Sequence, residues 1–305
     1  MGSKKSRLLN TFELAEHFVV KVLGLELTED NYEMIPRIVE TELNIENFDD
    51  LHETRNSKAY RNYFVREDVD RDKLRLKIVE GLLVQKRMKS DDNILLGKGG
   101  SAPRTDLKQN SEAFIIIGLP ASGKSTISND ISDEYGCFVL DSDYAKRKIP
   151  EYHNLQFGAT LVHEESADII FGEEKKTGYK SVLEHISEYN VNCVIPKIGS
   201  QVDSILNLNK ILKIYGYKSH LVLVELHRVK STQRALNRFL ETKRYVPLGL
   251  IFDDYSNNPS LTYYKLKSKH KNKFASFGII NTDVPRKSKP TIIEMDKNSP
   301  VKIFK

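Results

Sequence analysis

One run of nine residues, 118–126, constrains this chain more than any other feature; it reads Gly-Leu-Pro-Ala-Ser-Gly-Lys-Ser-Thr. It contains the pattern G-x-x-x-x-G-K-[ST]. An apolar run of strand length, residues 113–117, precedes it, and a helical pattern, residues 124–135, follows it. A strand, a glycine-rich turn and a helix in this order are typical of a phosphate-binding loop in an α/β protein.

The residue types in this loop suit the chain of phosphates in a nucleoside triphosphate. Glycines let the backbone turn tightly, so that successive N–H groups and the helix N-terminus point at phosphate oxygens. Lys124 is expected to reach the β- and γ-phosphates, and the Ser125 hydroxyl to ligate Mg²⁺. We therefore expect ATP and Mg²⁺ as cofactors. The predicted nucleotide-binding residues are Gly118, Leu119, Pro120, Ala121, Ser122, Gly123, Lys124, Ser125 and Thr126.

Strands and helices alternate after the loop, which predicts a three-layer α/β domain with a mainly parallel sheet. The apolar runs that predict strands are 113–117, 137–140, 191–195, 220–226 and 274–280. The helical patterns are 124–135, 160–171, 179–189, 202–215 and 232–242.

The chain ahead of this domain has a different character. Residues 1–89 carry apolar positions at helical spacing and no catalytic constellation, so we expect a helical accessory or regulatory region. Residues 90–111 are rich in Gly, Ser, Asp, Asn and Lys, which predicts a linker. The catalytic domain is then expected to occupy residues 112–305.

Composition excludes several classes of protein. Hydrophobic residues make up 39% and charged residues 29%, and no run has the ~18 apolar residues that a membrane span needs. The only two cysteines lie in apolar runs, which favours reduced thiols in a cytoplasmic protein without a zinc site. The net charge is +5, with no aromatic-interleaved basic motif, so nucleic acid is not the favoured partner.

Carboxylates at the end of the next strand indicate what the triphosphate is used for. That strand ends in Val139-Leu140-Asp141-Ser142-Asp143. Ligands of open α/β sheets bind outside the carboxyl ends of strands, so an aspartate there can accept a proton from an attacking hydroxyl. Asp143 is the first candidate for the general base, and Asp141 is the second. Asp141 could also act through Mg²⁺ or as a structural acid. Both could instead be turn-forming aspartates that cap the next segment.

The loop together with residues 140–150 resembles the zeta-toxin family of phosphotransferases. In that family a D-x-D follows the second strand, then a basic residue, then a proline. The matching residues here are Asp141, Asp143, Lys146, Arg147 and Pro150. The resemblance spans about residues 112–246 and implies a P-loop kinase fold. It gives Asp143 the position of the catalytic base and places Lys146 or Arg147 near the acceptor or the phosphates.

The resemblance implies further roles downstream. Family members carry an acidic residue that touches the acceptor near the position of Glu165, and they place arginines over the phosphates where Arg234, Arg238 and Arg244 stand. Arg234 and Arg238 are four residues apart and share one helix face. The alternatives are a solvated helix start for Glu165 and a basic solvent-exposed face for the arginines.

One departure from the family bears on the acceptor. Family members that phosphorylate UDP-N-acetylglucosamine usually have acid-glycine-threonine after the third core strand, whereas residues 195–199 read Ile-Pro-Lys-Ile-Gly. Lys197 suits an acceptor with a negative charge of its own, such as a dinucleotide of the NAD type. The acceptor therefore stays open between these nucleotide-like molecules.

Three hypotheses remain. The leading one is an ATP-dependent kinase for a hydroxyl of a nucleotide-like small molecule, acting as a toxin or as an effector delivered into a host or target cell. The others are a polynucleotide end kinase and a non-catalytic nucleotide-binding regulatory protein. An antitoxin, or cis-inhibition by residues 1–89, is the partner that the first hypothesis suggests.

Overall fold

The structure is a computed structural model that describes residues 6–26, 28–46, 53–154, 158–242, 245–285 and 288–305. Within these residues, six strands form one sheet in the order β2-β3-β1-β4-β5-β6. Every neighbouring pair is parallel except β5 and β6. The strands are β1 (Glu112–Ile117), β2 (Phe138–Val139), β3 (Cys193–Lys197), β4 (Lys218–Glu225), β5 (Ser276–Asn281) and β6 (Thr291–Met295).

Apolar residues bury β1 on both faces, as expected for a central parallel strand. Its register partner on one side is β3, in which Lys197 lies opposite Ile117. On the other side β4 places Leu223 opposite Ile117. The carboxyl ends of β1, β3 and β4 therefore meet at one edge of the sheet, and the residues that follow them are neighbours.

Helices surround the sheet. In the part of the chain that the structure describes they are α1 (Phe12–His17), α2 (Glu29–Glu46), α3 (Asp68–Val84), α4 (Lys124–Tyr135), α5 (Ser142–Lys146), α6 (Glu151–Asn154), α7 (Gly158–Leu161), α8 (His163–Phe171), α9 (Glu174–Thr177), α10 (Val182–Glu188), α11 (Val202–Ile214), α12 (Arg228–Thr242) and α13 (Asn258–Lys269). Of these, α11 and α13 pack on each other and on β4, whereas α4 packs on β1, β2 and β3 together with the C-terminal turn Pro300–Phe304. The predicted α/β class with a mainly parallel sheet is confirmed.

The described part of the N-terminal region is helical, and its buried apolar side chains belong to two clusters that it shares with the sheet domain. From α3, Leu74, Ile78 and Leu82 are buried in the same apolar cluster as β1. Helices α1 and α2 form a second cluster with α12 and the π-helical turn Leu250–Tyr255. The region is therefore built into the catalytic fold at two places.

Residues 90–111 differ from the predicted linker, because they pack on the sheet domain. Ile94 is fully buried in the main core. The Arg104 guanidinium binds the Asp133 carboxylate of α4 at 2.6 Å, and the Lys108 ammonium donates to the Glu134 carbonyl oxygen at 2.6 Å. This segment, whose Gly, Ser and Asp content predicted a linker, forms tight turns against α3 and α4.

Two elements of the C-terminal part were missed from sequence. One is α13, whose lysines are typical of a solvent-exposed basic segment. The other is β6, a half-exposed edge strand. The Lys267 ammonium and the Tyr263 hydroxyl of α13 both bind the Glu294 carboxylate of β6. Among the described residues, no helix combines the length and the apolar character that crossing a membrane requires.

Candidate functional site

The loop after β1 has the geometry of a phosphate cradle. Ala121 and Gly123 have φ angles of 59° and 93°, so the backbone turns through the left-handed region directly before α4 begins at Lys124. The Lys124 ammonium donates to the carbonyl oxygens of Gly118 at 2.8 Å and Leu119 at 2.6 Å. This lysine therefore folds back across the loop with its charge at the mouth.

Glycine is required at the start of the loop. A Cβ at Gly118 would lie 2.6 Å from the Val224 carbonyl oxygen of β4 and 2.9 Å from Ser122 Oγ. The Gly118 N–H donates to the Ile198 carbonyl oxygen at 3.1 Å, which joins the loop to the residue after β3. The loop is thus fixed between its two neighbouring strands.

Two other segments support the loop from outside the motif. Thr282, directly after β5, donates its hydroxyl to the Ser122 carbonyl oxygen at 2.6 Å. Ser231 of α12 donates to the Pro120 carbonyl oxygen. Arg234, one turn further along α12, donates to the Thr282 carbonyl oxygen at 2.9 Å. These contacts hold α12 beside the loop, so Arg234 lies close to the nucleotide position.

The residues present fit a nucleoside triphosphate and its metal. The helix N-terminus, the Lys124 ammonium and the tight glycines supply donors for phosphate oxygens. The Ser125 and Thr126 side chains are exposed at the first turn of α4, where a hydroxyl can ligate Mg²⁺. We expect these groups to hold the nucleotide and its magnesium ion.

Asp141 and Asp143 lie at the carboxyl end of β2, as predicted. Asp141 caps α5 by accepting the Asp143 backbone N–H at 2.9 Å, so the capping role left open from sequence applies to Asp141. The Asp143 side chain is 29% exposed, and one of its oxygens lies 3.4 Å from the Lys146 ammonium. A partly exposed carboxylate in the first turn of α5 can accept a proton from a bound hydroxyl.

Basic side chains are gathered beside these aspartates. Lys197 stacks its ammonium 3.9 Å from the centre of the Phe171 ring. Burial lowers the pKa of Lys197 to about 8, with the Asp141 charge opposing the shift and that of Lys146 adding to it. Burial also lowers the pKa of Lys146, and burial followed by the Lys146 charge lowers the pKa of His163 to about 4. Poorly solvated positive charge therefore lies beside Asp141 and Asp143.

Arg147 and Arg238 form a second basic group. The buried Arg147 guanidinium donates to the Asp92 carboxylate at 2.8 Å. Burial, and next the charge of Arg147, lower the pKa of Arg238. The charges of Arg147 and Arg238 therefore interact, although the two residues are far apart in sequence.

Glu165 has a different environment from the one expected of an acceptor ligand. Its carboxylate is 1% exposed and accepts hydrogen bonds from the guanidinium groups of Arg71 and Arg75, at 2.6 Å and 2.7 Å for the shortest contact of each. The buried Arg71 also binds Glu151 at 2.8 Å. Burial alone would raise the pKa of Glu165, but these arginines lower it to about 2. We therefore leave Glu165 out of the proposed acceptor site. Arg244 lies outside the described residues.

The zeta toxin family model matches residues 102–281, which is more than half of the chain. The chain belongs to the zeta toxin family. Membership gives this zeta toxin a kinase-like P-loop fold that binds a nucleotide, in agreement with its loop geometry. No curated protein matches the chain.

Among solved structures of low sequence identity, one shares the fold and two others are more distantly similar. One comes from the PezAT chromosomal toxin–antitoxin system of Streptococcus pneumoniae, with a TM-score of 0.53 and 15% identity over 80% of this chain and 88% of that one. The complex of AvrRxo1-ORF1 with AvrRxo1-ORF2 and sulphate ions has a TM-score of 0.43 and 16% identity over 74% and 69%. The same complex with ATP has a TM-score of 0.43 and 17% identity over 74% and 67%.

Several residues around the site were not found from the sequence of this zeta toxin. Asp92 lies in the segment predicted to be a linker. Ser231 belongs to no motif, and the sequence around it predicts only a helix. Thr282 directly follows a strand, so the rule that ligands lie at the carboxyl ends of strands was the one signal that pointed to it.

Proposed function

We propose that this zeta toxin transfers the γ-phosphate of ATP to a hydroxyl of an anionic, nucleotide-like small molecule. The observation that carries this proposal is the register of β1 and β3. It sets Lys197 beside Ile117, the last residue before the loop, so that the donor loop and a poorly solvated cation share one edge of the sheet. UDP-N-acetylglucosamine and NAD-like dinucleotides both have the required charge.

Each residue has a defined part in this reaction. Bound Mg-ATP supplies the phosphoryl group. Lys124 and the loop N–H groups bind its phosphates, and Ser125 holds the metal. Asp143 accepts the proton of the acceptor hydroxyl, and the Lys146 ammonium lies 3.4 Å from this carboxylate. Lys197 attracts the acceptor, and Arg234 and Arg238 offset the charge of the transferring phosphoryl group.

A labelling experiment tests the proposal. Purified protein is incubated with γ-labelled ATP, Mg²⁺ and a metabolite extract, and the labelled products are separated by chromatography and identified by mass spectrometry. We expect a labelled nucleotide-like product with the wild type, none with Lys124→Ala, and a rate about 10²–10⁴-fold lower with Asp143→Asn. Asp70→Asn, which changes a surface aspartate paired with Lys73, serves as the matched control.

Two outcomes would contradict the proposal. Equal labelling by Asp143→Asn and wild type would exclude Asp143 as the base. A label that enters only added oligonucleotides, with a steep dependence on salt, would favour a polynucleotide end kinase instead.

A further inference from the structure

Helix α3 has apolar side chains on two opposite faces. Its inner face packs on α5, α8 and α10 and buries Leu74, Ile78 and Leu82. On its outer face, Val69 is 68% exposed and Leu76 is 52% exposed. A helix that packs on a core with one face normally has charged and polar residues on the other. The outer face of α3 is therefore a candidate for contact with another molecule.

The outer residues of α3 have the spacing of a helix–helix contact. Five residues lie in one line along this face: Val69, Lys73, Leu76, Glu80 and Leu83. Leu83 is partly exposed, and the other four are exposed. Their spacing alternates between four and three residues, as it does for residues that face one neighbouring helix. We call this line the outer stripe of α3.

The outer stripe is complementary to itself when two copies of α3 lie antiparallel. A two-fold axis at Leu76 places this leucine against its own counterpart, and Val69 against Leu83 of the second copy. It also places Lys73 beside Glu80 of the second copy, on the same side of the contact, and symmetry forms this pair twice. We propose that the outer stripe is the interface of a homodimer, with a second copy of this chain as its occupant.

The charges of the outer stripe favour a second copy over a membrane surface or a nucleic acid. Those occupants attract cations, whereas the stripe contains one lysine and one glutamate. In its own copy, the Lys73 ammonium pairs with the Asp70 carboxylate at 3.1 Å, and both side chains are more than half exposed. An exposed pair of this kind contributes little, so Lys73 can turn to Glu80 of the second copy at small cost.

The inner face of α3 holds the outer stripe in place. The buried Arg71 guanidinium binds the carboxylates of Glu151 at 2.8 Å and Glu165 at 2.6 Å. These contacts fix α3 against α6 and α8 before any partner binds. A surface that is ordered in advance loses little conformational entropy on association, which favours binding.

Sedimentation equilibrium of the full chain over about 1–100 µM tests the dimer. We expect a monomer–dimer equilibrium for the wild type. Leu76→Asp should raise the dissociation constant about 100-fold or more, because two facing carboxylates replace two buried leucines at the axis. Leu261→Asp is the matched control, since Leu261 lies on α13 and is 51% exposed, and this variant should dimerise like the wild type.

Charge reversal tests the antiparallel pairing. Lys73→Glu and Glu80→Lys should each weaken the dimer about three- to tenfold, because like charges then meet twice across the axis. Both changes in one chain should restore dimerisation, and an equimolar mixture of the two single variants should form heterodimers. A misfolded protein can do neither.

Three results would overturn the proposal. Wild type that stays monomeric throughout the range would do so in favour of a different partner protein. Leu76→Asp protein that dimerises as well as the wild type would place the interface elsewhere. A double charge variant that is weaker than both single variants would exclude the antiparallel pairing. The experiment needs no nucleotide, so its outcome is independent of the proposed function.

Discussion

The buried ammonium of Lys197 lowers the stability of the folded protein and supplies a positive charge to the candidate site. Its ammonium is covered by Phe171, and burial lowers its pKa to about 8 from 10.5. The folded protein is therefore penalised for holding the proton at neutral pH, as is common in binding sites. An anionic ligand would remove this penalty.

Replacing Lys197 with methionine is expected to raise the stability of the ligand-free protein at pH 7 by about 1–3 kcal/mol. The unfolded chain keeps its proton up to about pH 10.5, whereas the folded chain loses it near pH 8, so wild-type stability should rise between these pH values. Lys197→Met should lack this rise. Urea unfolding at pH 7, 8 and 9.5 measures both effects, with the exposed Lys210→Met as the control. A loss of stability at pH 7 would contradict the assignment.

Glu165 gives the opposite pH dependence. Its pKa is about 2 in the folded protein and 4.5 in a model compound, so the stability it contributes is present above pH 4.5 and is lost as the pH falls towards 2. Glu165→Gln leaves Arg71 and Arg75 short of a counter-charge, which should cost about 3 kcal/mol at pH 7.

Glu164→Gln is the natural comparison for Glu165→Gln. The adjacent Glu164 is 48% exposed and pairs with Arg55 on the surface, so its loss should cost less than ~1 kcal/mol. Chemical denaturation of both variants tests the difference. Similar losses for the two would mean that the buried ion-pair network does not stabilise the fold.

The residues whose positions could be predicted from sequence are those held in place by local geometry. The loop is fixed by its glycines and by the start of α4, and Asp141 and Asp143 by the end of β2. Glu165 could not be assigned, because its partner Arg71 is 94 residues away and no local pattern links them. Asp92 could not be assigned either, because its partner Arg147 is also distant in sequence.

At the scale of elements, the strands with continuous apolar runs were predictable, since burial on both faces demands such runs. The strand β6 was not, because it lies at the antiparallel edge of the sheet and is half exposed. Packing of residues 90–111 could not be predicted for a related reason. Glycines occur both in flexible segments and in segments that approach another backbone closely.

Gly100 lies in a segment that approaches another backbone closely. A Cβ there would lie 2.0 Å from the Gln85 carbonyl oxygen and 2.8 Å from that of Gly81, both backbone atoms. Gly100→Ala is therefore expected to destabilise the protein by about 1–3 kcal/mol.

Gly81, inside α3, offers the matched substitution. A Cβ at Gly81 would meet nothing closer than Lys148 Nζ at 3.9 Å, so Gly81→Ala should stabilise α3 by up to ~1 kcal/mol. Thermal unfolding of the two variants measures the contrast. If Gly100→Ala were tolerated as well as Gly81→Ala, close packing of residue 100 against α3 would not contribute to stability.

At the scale of the whole molecule, the N-terminal region contacts the rest of the fold in two places. Glu42 of α2 accepts from the Tyr245 hydroxyl, next to the end of α12, while Arg71 of α3 binds Glu151 of α6 and Glu165 of α8. A buried part of the core cannot be removed without exposing apolar surface, so this region is unsuited to the role of a detachable inhibitor.

Deleting residues 1–89 is accordingly expected to give a chain that aggregates or lacks a cooperative unfolding transition, because Leu74, Ile78 and Leu82 leave the main core. Circular dichroism and size-exclusion chromatography check this expectation. A monomeric, cooperatively folded product with increased activity would instead support cis-inhibition by the N-terminal region.

The central claim is that the loop after β1 holds the phosphates of a nucleotide, with Lys124 across its mouth. Equilibrium dialysis of labelled Mg-ATP against folded wild type and Lys124→Ala tests it most directly. We predict saturable binding of one nucleotide by the wild type and an affinity about 10- to 100-fold weaker in Lys124→Ala, the loss expected for a charge-assisted contact. Wild type that retains no ATP, or a variant that binds it equally well, would contradict the account.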